Sequence, residues 1–341
     1  MTTGITPDHF KKCVTSVWFL CALCLLAAVS GCRHNRASEK VPPPGTWADR
    51  LGFPPGKRVI IFHADDIGMC EEANEAVIPL LKRKEIQSAA AMPPCPAFED
   101  AIEWAKANPD ADIGLHLTLN SEMKSPRWGT VADPKSVPGL LTPEGVLWRR
   151  QSEVVEHATG DEIERELRAQ IEKTLRMGYR PTHLDSHMGT VFGTADFLEV
   201  YLKLAEDYHI PAMVIHDPEA MEHFMKYVSL PPPTAAQKQL IADYSLPKLD
   251  NYLAIKSAKT YPEKKALFFE TVRSLEPGLI EIIFHPQVKS ERSESITASW
   301  QQRVWEAELF SDPEVQSFLD DERILLTNWK EIMQRFEKMK P

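Results

Sequence analysis

The sequence predicts an α/β fold with a parallel sheet wrapped as a barrel, and three observations predict it. About seven strand-like apolar runs alternate with segments of helical period, and such alternation argues for parallel strands joined by crossover helices. Three of the strand-like runs end in His or Asp. Val59-Ile60-Ile61-Phe62 leads into His63-Ala64-Asp65-Asp66, Gly114-Leu115-His116-Leu117-Thr118-Leu119-Asn120 alternates in the same way, and Pro181-Thr182-His183-Leu184-Asp185-Ser186-His187 follows. In α/β barrels the functional groups sit at the carboxyl ends of the strands. Finally, the chain beyond its first residues is long enough, at roughly 290 residues, for one such domain. An open doubly wound sheet is the alternative architecture. No GxGxxG or GxxxxGK[ST] run is present, so nothing supports nucleotide binding.

The elements follow in order. Residues 1–31 read as a signal segment: Lys11-Lys12 is a positive flank, Val14 to Val29 is apolar, and small residues close it. Ala28-Val29-Ser30-Gly31-Cys32 resembles a bacterial lipobox, in which the Cys becomes the lipidated first residue. A plain membrane anchor is the other reading. Residues 32–56, carrying Pro42-Pro43-Pro44, are expected to be a tether, and 57–341 the folded domain. Within it, strand Arg58–His63 precedes a helix over Glu71–Lys84. Strand Gln87–Met92 precedes a helix over Ala97–Ala107, ended by Asn108-Pro109. Asp112–Leu119 is a strand, and an insertion from Asn120 to about Gly160 holds much of the Pro and Trp. Asp161–Met177 is strongly helical and stops at Gly178. Thr182–His187 is a strand, Ala195–Tyr208 a helix and Ala212–His216 a strand. Residues 218–260 are irregular with helical parts. Pro262–Leu275 is a helix, Leu279–His285 an apolar strand, Ala298–Leu309 and Glu314–Asp320 helices, and Ile324–Thr327 a last strand before a tail helix.

The formal charge is −10. Loss of residues 1–31, with two Lys and one Asp, would leave −11, a balance that disfavours nucleic acid as a partner. Of six cysteines, Cys13, Cys21 and Cys24 lie in the signal and Cys32 carries lipid; Cys70 and Cys95 remain, either paired or as two buried thiols. A processed, lipidated chain would place the domain in the cell envelope outside the cytoplasm, with the outer membrane or periplasm favoured because Arg33 is not the Asp that retains such proteins at the inner membrane.

Side chains alternate along a strand, so His183, Asp185 and His187 share one face and Thr182, Leu184 and Ser186 the other. A single strand His is more often structural, and Asp66, just before a helix, has the look of a cap. Three strands ending alike by coincidence is the harder assumption. Two imidazoles and a carboxylate with open positions make the pattern of a catalytic divalent-metal site. Of the neighbours Asp65 and Asp66, one can ligate while the other takes a proton from water. His285, in Phe284-His285-Pro286 at another strand end, can protonate a leaving group. The set suits metal-assisted hydrolysis. A pure metal-binding module and a glycosidase stay open. Adjacent carboxylates diverge on a strand, so a glycosidase pair would need Asp65 and Asp185.

Taken together, His63-Ala64-Asp65-Asp66-Ile67-Gly68, Gly114-Leu115-His116, Pro181 to His187 and Phe284-His285-Pro286 resemble the YdjC-like carbohydrate deacetylases, a group with diacetylchitobiose and hopanoid-linked sugar deacetylases. The resemblance covers about residues 57–330. It implies a distorted β/α barrel that hydrolyses an N-acetyl group on a sugar and releases acetate. By the same resemblance Asp66, His116 and His187 hold one divalent ion, Mg²⁺ or Zn²⁺. Asp65 is the general base, His285 the general acid, and His183 and Asp185 orient ligands. The sequence departs twice. His63 stands where many members carry Asn, and Met188-Gly189-Thr190 follows His187 where the chitobiose enzymes continue with further His. The second departure bears on the substrate and not on the metal site. An inactive glycan- or metal-binding relative would share the fold, but every residue assigned to catalysis is present. Trp128 and Trp148 in the insertion are expected either to contact sugar or simply to pack it.

Overall fold

The computed structural model describes Met1, residues 45–322 and residues 324–339. Met1 apart, the expected signal segment 1–31, the Cys32 expected to carry lipid and the first part of the expected tether lie outside the described residues. The chain divides into a unit Met1–Lys40 and a unit Val41–Pro341, and the fold below is that of the second alone. Among the described residues no helix is long and apolar enough to cross a membrane.

The folded domain begins before residue 57, inside the segment expected as tether. A helical turn, α1 (Trp47–Arg50), is capped by the Thr46 hydroxyl, and Trp47, Ala48, Leu51 and Phe53 are buried. The backbone N–H groups of Trp47 and Ala48 donate to the Asp250 carboxylate at 2.9 and 3.2 Å. One turn is too short for helical period to be read among prolines and glycines, so composition alone misassigned it.

Among the described residues seven strands form one all-parallel sheet: β1 (Arg58–Ile67), β2 (Ser88–Ala91), β3 (Ile113–Leu117), β4 (Leu184–Ser186), β5 (Asn251–Ala254), β6 (Gly278–Phe284) and β7 (Ile324–Leu326). The order is β4-β3-β2-β1-β6-β5, with β7 also on β1. β1 is the hub. β6 follows one edge from Arg58↔Gly278 to Ala64↔Phe284, while the other edge is shared by β7 at Arg58–Ile60 and β2 at His63–Ile67. The sheet curls, and the segment expected as strand Ala212–His216 spans the gap between its ends. It makes only isolated parallel bridges, Ala212 to Leu184 and Ile215 to Leu249. The alternative of an open doubly wound sheet is therefore set aside in favour of a distorted barrel. β5 falls in a stretch that reads as irregular because all four of its residues are half-buried, which leaves no alternation to see.

The helices are α2 (Glu71–Lys82), α3 (Phe98–Ala107), α4 (Gln151–His157), α5 (Gly160–Arg176), α6 (Ala195–Tyr208), α7 (Pro218–Tyr227), α8 (Ala235–Asp243), α9 (Tyr261–Ser274), α10 (Glu291–Ile296), α11 (Trp300–Ser311), α12 (Pro313–Asp321) and α13 (Trp329–Met339). Their starts carry the expected chemistry: Thr159 and Glu162 form a reciprocal capping box on α5, and Thr194 and Thr260 cap α6 and α9. Phe62 and Phe284 turn outward onto Phe310 of α11, with ring centroids 5.2 and 4.1 Å apart. Alternation then sends His63, Asp65, Glu281 and Ile283 into the barrel. Trp329, fully buried at the start of α13, closes the floor and donates its indole N–H to Glu281 at 2.8 Å.

Candidate metal centre and catalytic site

β1 delivers two carboxylates to one place. The register with β2 shifts between Ala64 and Ile67, and Asp66 adopts a left-handed φ of 65°. A bulge of this kind re-aims a side chain. Asp65 Oδ2 and Asp66 Oδ1 consequently lie 3.9 and 3.5 Å from the same His116 Nε2. The expectation that neighbouring carboxylates diverge is corrected here, because the strand is no longer regular where they sit. Gly68 makes the turn possible. Its φ is +84°, and a Cβ there would stand 2.9 Å from the Phe98 Cα.

The two histidines are held alike. His116, on β3, places Nδ1 against Asp185 Oδ1 at 2.5 Å and turns Nε2 to Asp66. His187 follows β4 directly and ends the strand in a tight turn, with Met188 and Gly189 at φ 56° and 67°. Its Nε2 meets Glu122 Oε2 at 2.8 Å and its Nδ1 lies 3.5 Å from Asp66 Oδ1. On the far side of Asp66, Oδ2 accepts from Arg303 Nη1 at 2.8 Å. Asp66 Oδ1 itself is buried and has no hydrogen-bond partner among the described residues. An orphaned buried carboxylate oxygen is costly, and this one faces two imidazole nitrogens whose opposite ring atoms are fixed by carboxylates. That is how metal-ligating histidines are oriented, and the three donor atoms lie within 4.8 Å of one another. The residues fit a divalent ion. Two further groupings, Asp65 with His116 and Asp185, and His63 with His183 and Asp185, are equally compact. In these, Asp65 is bonded to His63, His63 to His183 and His116 to Asp185, which gives each member a partner without an ion.

Burial works against charge on Asp66, His116 and His187. It is outweighed at Asp66, where Arg303 and His187 hold the carboxyl well below its ordinary range. It is outweighed too at His187, pushed up to about 10 by Glu122 and Asp66, and at His116, raised by Asp185 and Asp65. The pocket thus demands positive charge at its centre, which protons or a divalent cation can supply.

Asp65 has two distinct oxygens. Oδ1 is 2.8 Å from His63 Nδ1, whereas Oδ2 faces His285 Nε2 at 3.6 Å. His285 is partly exposed, at 29% of its side chain, and its backbone N–H donates to Glu306 at 2.7 Å. Asp65, Asp66, His116, His187 and His285 line one cavity of about 360 Å³, walled on the apolar side by Phe224, Tyr227 and Tyr252. Asp185 does not line it. All five residues singled out for metal binding and catalysis therefore meet, and His183, Asp185 and His63 lie beneath or behind them.

Several participants carry no sequence signal. Glu122 follows the cluster Gly114 to Asn120 but lies outside its alternation. Arg303 and Glu306 sit on α11, far along the chain, in a helix that reads as ordinary. Trp128 and Trp148 pack the insertion: their indole N–H groups donate to Asn120 and Gly139 carbonyls at 2.7 and 2.8 Å, and Trp128 meets His187 edge-on at 6.4 Å. Cys70 and Cys95 are both buried and, among the described residues, form no disulfide.

Comparison with known proteins bears on this arrangement. The family described as YdjC-like protein matches residues 59–321. A carbohydrate deacetylase of Thermus thermophilus is 31% identical, covering 80% of this chain and 92% of that protein. One of Thermoanaerobacter pseudethanolicus is 25% identical, with 80% and 98% covered. The solved structure of an Enterococcus faecalis protein, named for cellobiose-phosphate cleavage, superposes with a TM-score of 0.65 at 26% identity, covering 80% of this chain and 98% of that one. With the match running through all four strand-end clusters, this chain belongs to the YdjC-like protein family.

Proposed function

We propose that this chain is a divalent-metal-dependent hydrolase that removes an acetyl group from an N-acetylated sugar or glycan and releases acetate. The observation that carries the reading is Asp66 Oδ1, buried without a partner 3.5 Å from both His116 Nε2 and His187 Nδ1. The carbohydrate deacetylases among its relatives supply the reaction class. Asp66, His116 and His187 hold the ion, Mg²⁺ or Zn²⁺, the two imidazoles favouring Zn²⁺. When bound, such an ion polarises an acyl oxygen and acidifies water. Asp65 Oδ2, turned to the cavity, takes the proton of the attacking water, and His285 at the rim gives one to the departing amine nitrogen. Arg303 keeps Asp66 ionised, while Asp185 and Glu122 fix the two imidazoles. A glycosidase pair of Asp65 and Asp185 is less well supported, since Asp185 is engaged with His116 and does not line the cavity. The test is acetate release from acetylated chito-oligosaccharides and peptidoglycan fragments, abolished by a chelator and restored by a divalent ion. Release of shortened sugars without acetate would favour the glycosidase instead.

We also propose that the domain is carried outside the cytoplasm on a lipidated Cys32. The support is sequence alone: Lys11-Lys12, the apolar run and Ser30-Gly31-Cys32. The several acyl chains of a lipoprotein would hold the protein firmly, where one would not. Mass spectrometry of the N-terminal peptide tests it: lipid on Cys32 is expected, and an unmodified Cys32 in a chain still carrying Met1 would exclude it.

A further inference from the structure

We propose that His63 is a positioning residue for Asp65, held as a hydrogen-bond donor at both ring nitrogens by a buried chain of groups that starts at Asp112 on the barrel floor. The inference rests on reading Asp65 as the base, but the chain itself follows from donor and acceptor accounting. Asp112 receives the Ser88 hydroxyl at 2.7 Å, the Thr182 hydroxyl at 3.0 Å and the Lys330 backbone N–H at 2.8 Å. Three donors mark an ionised carboxylate. The proton of the Thr182 hydroxyl is thereby committed, so its oxygen can only accept from His183 Nδ1, 2.9 Å away. His183 then carries its hydrogen on Nδ1 and presents a bare Nε2. That nitrogen lies 2.9 Å from His63 Nε2, which must be the donor. His63 Nδ1 lies 2.8 Å from Asp65 Oδ1, an acceptor, so it donates as well. His63 is an imidazolium locked between a neutral imidazole and the carboxylate that faces the cavity.

The surroundings are built for this chain. Gly114 makes room for the His183 ring, since a Cβ there would stand 2.4 Å from its Cε1. The Trp329 indole stacks on the same ring, with centroids 5.4 Å apart and planes 19° apart. The charge environment agrees. Burial alone would lower His63, but Glu281, Asp65 and Asp185 push it up to about 10, whereas burial and the neighbouring His63 hold His183 below its ordinary value. Apolar side chains would fill such a floor at no loss of stability, so stability alone does not account for it. What the chain secures is the orientation of Asp65. Oδ1 is pinned from below, and Oδ2 is left to face the cavity and His285.

Asn and Gln separate the two nitrogens of His63. The side-chain amide of Asn reaches the place of Nδ1, and that of Gln the place of Nε2. His63→Asn keeps a donor to Asp65 and is expected to retain kcat within about threefold. His63→Gln keeps only the link to His183 and is expected to lose about 10–100-fold in kcat, with KM, metal content and melting temperature near those of the full chain. Equal losses in both variants, or no loss in Gln, would overturn the proposal, and Asp65→Asn tests separately whether Asp65 is the base: a loss of about 10²–10⁴-fold is expected, and near-native activity would remove the reading on which the proposal rests. Nuclear magnetic resonance of the ¹⁵N-histidine-labelled full chain decides independently of any substrate. Two protonated ring nitrogens on His63, with the Nδ1 signal moved by Asp65→Asn, are expected, and a His63 protonated at one nitrogen overturns the chain even if Gln fails to fold.

Discussion

Asp65 and Asp66 are neighbours with different surroundings, and their roles separate on that ground. Asp66 is tied to Arg303 and presents one unpartnered oxygen to two imidazoles, whereas Asp65 is tied to His63 and presents the other of its oxygens to the cavity. Asp65→Asn is expected to keep bound metal and lose about 10²–10⁴-fold in rate, the range for a general base; Asp66→Asn is expected to lose metal. Metal content and single-substrate kinetics check both, and reversed phenotypes would exchange the roles. Glu281 offers a prediction on stability. Burial, with Asp185 and Asp65 nearby, pushes its carboxyl up to about 7 against the pull of His63. A carboxyl whose folded pKa lies above its unfolded one holds its proton more tightly when folded. Its contribution is therefore present below about pH 4.5 and is lost as pH rises through about 7. Glu281→Gln keeps an acceptor for the Trp329 indole, so its stability relative to the native chain should rise between those pH values and level off above. Denaturant titrations across that range measure it, and a difference independent of pH would contradict the assignment.

At the scale of elements, the decisive feature is the irregular end of β1. A regular strand would put Asp65 and Asp66 on opposite faces; the bulge and the left-handed Asp66 bring them together. Gly68→Ala tests how far the turn depends on glycine. A Cβ at φ +84° against the Phe98 backbone is expected to cost about 1–3 kcal/mol and to lower metal affinity by moving Asp66. Unchanged melting temperature and metal content would mean that the turn is held by something else. The same element marks where sequence pattern fails. Val59 to Phe62 announces the strand, but nothing in His63-Ala64-Asp65-Asp66 announces a bulge, because a register shift depends on the partner strand. β5 was hidden by half-burial, and α1 by its length. Long helices such as α5 and α6 were legible within a residue or two, since their apolar stripes and threonine caps are local.

For the whole molecule, the alternation of strands and helices was enough to foresee the barrel, and the strand-end clusters enough to foresee five residues around one cavity. Glu122, Arg303 and Glu306 were not legible, because a charged residue on an insertion or helix looks the same whether it meets solvent or a buried site. The tertiary fold alone brings α11 across β1 so that Arg303 reaches Asp66. The central claim is that Asp66, His116 and His187 together hold one divalent ion. Its most direct test is the metal content of the purified protein beside His116→Ala and His187→Ala, measured by elemental analysis after dialysis against trace metal. About one ion per native chain, lost from each variant while folding is retained, is the predicted result; an undiminished ion in both variants would contradict the centre described here.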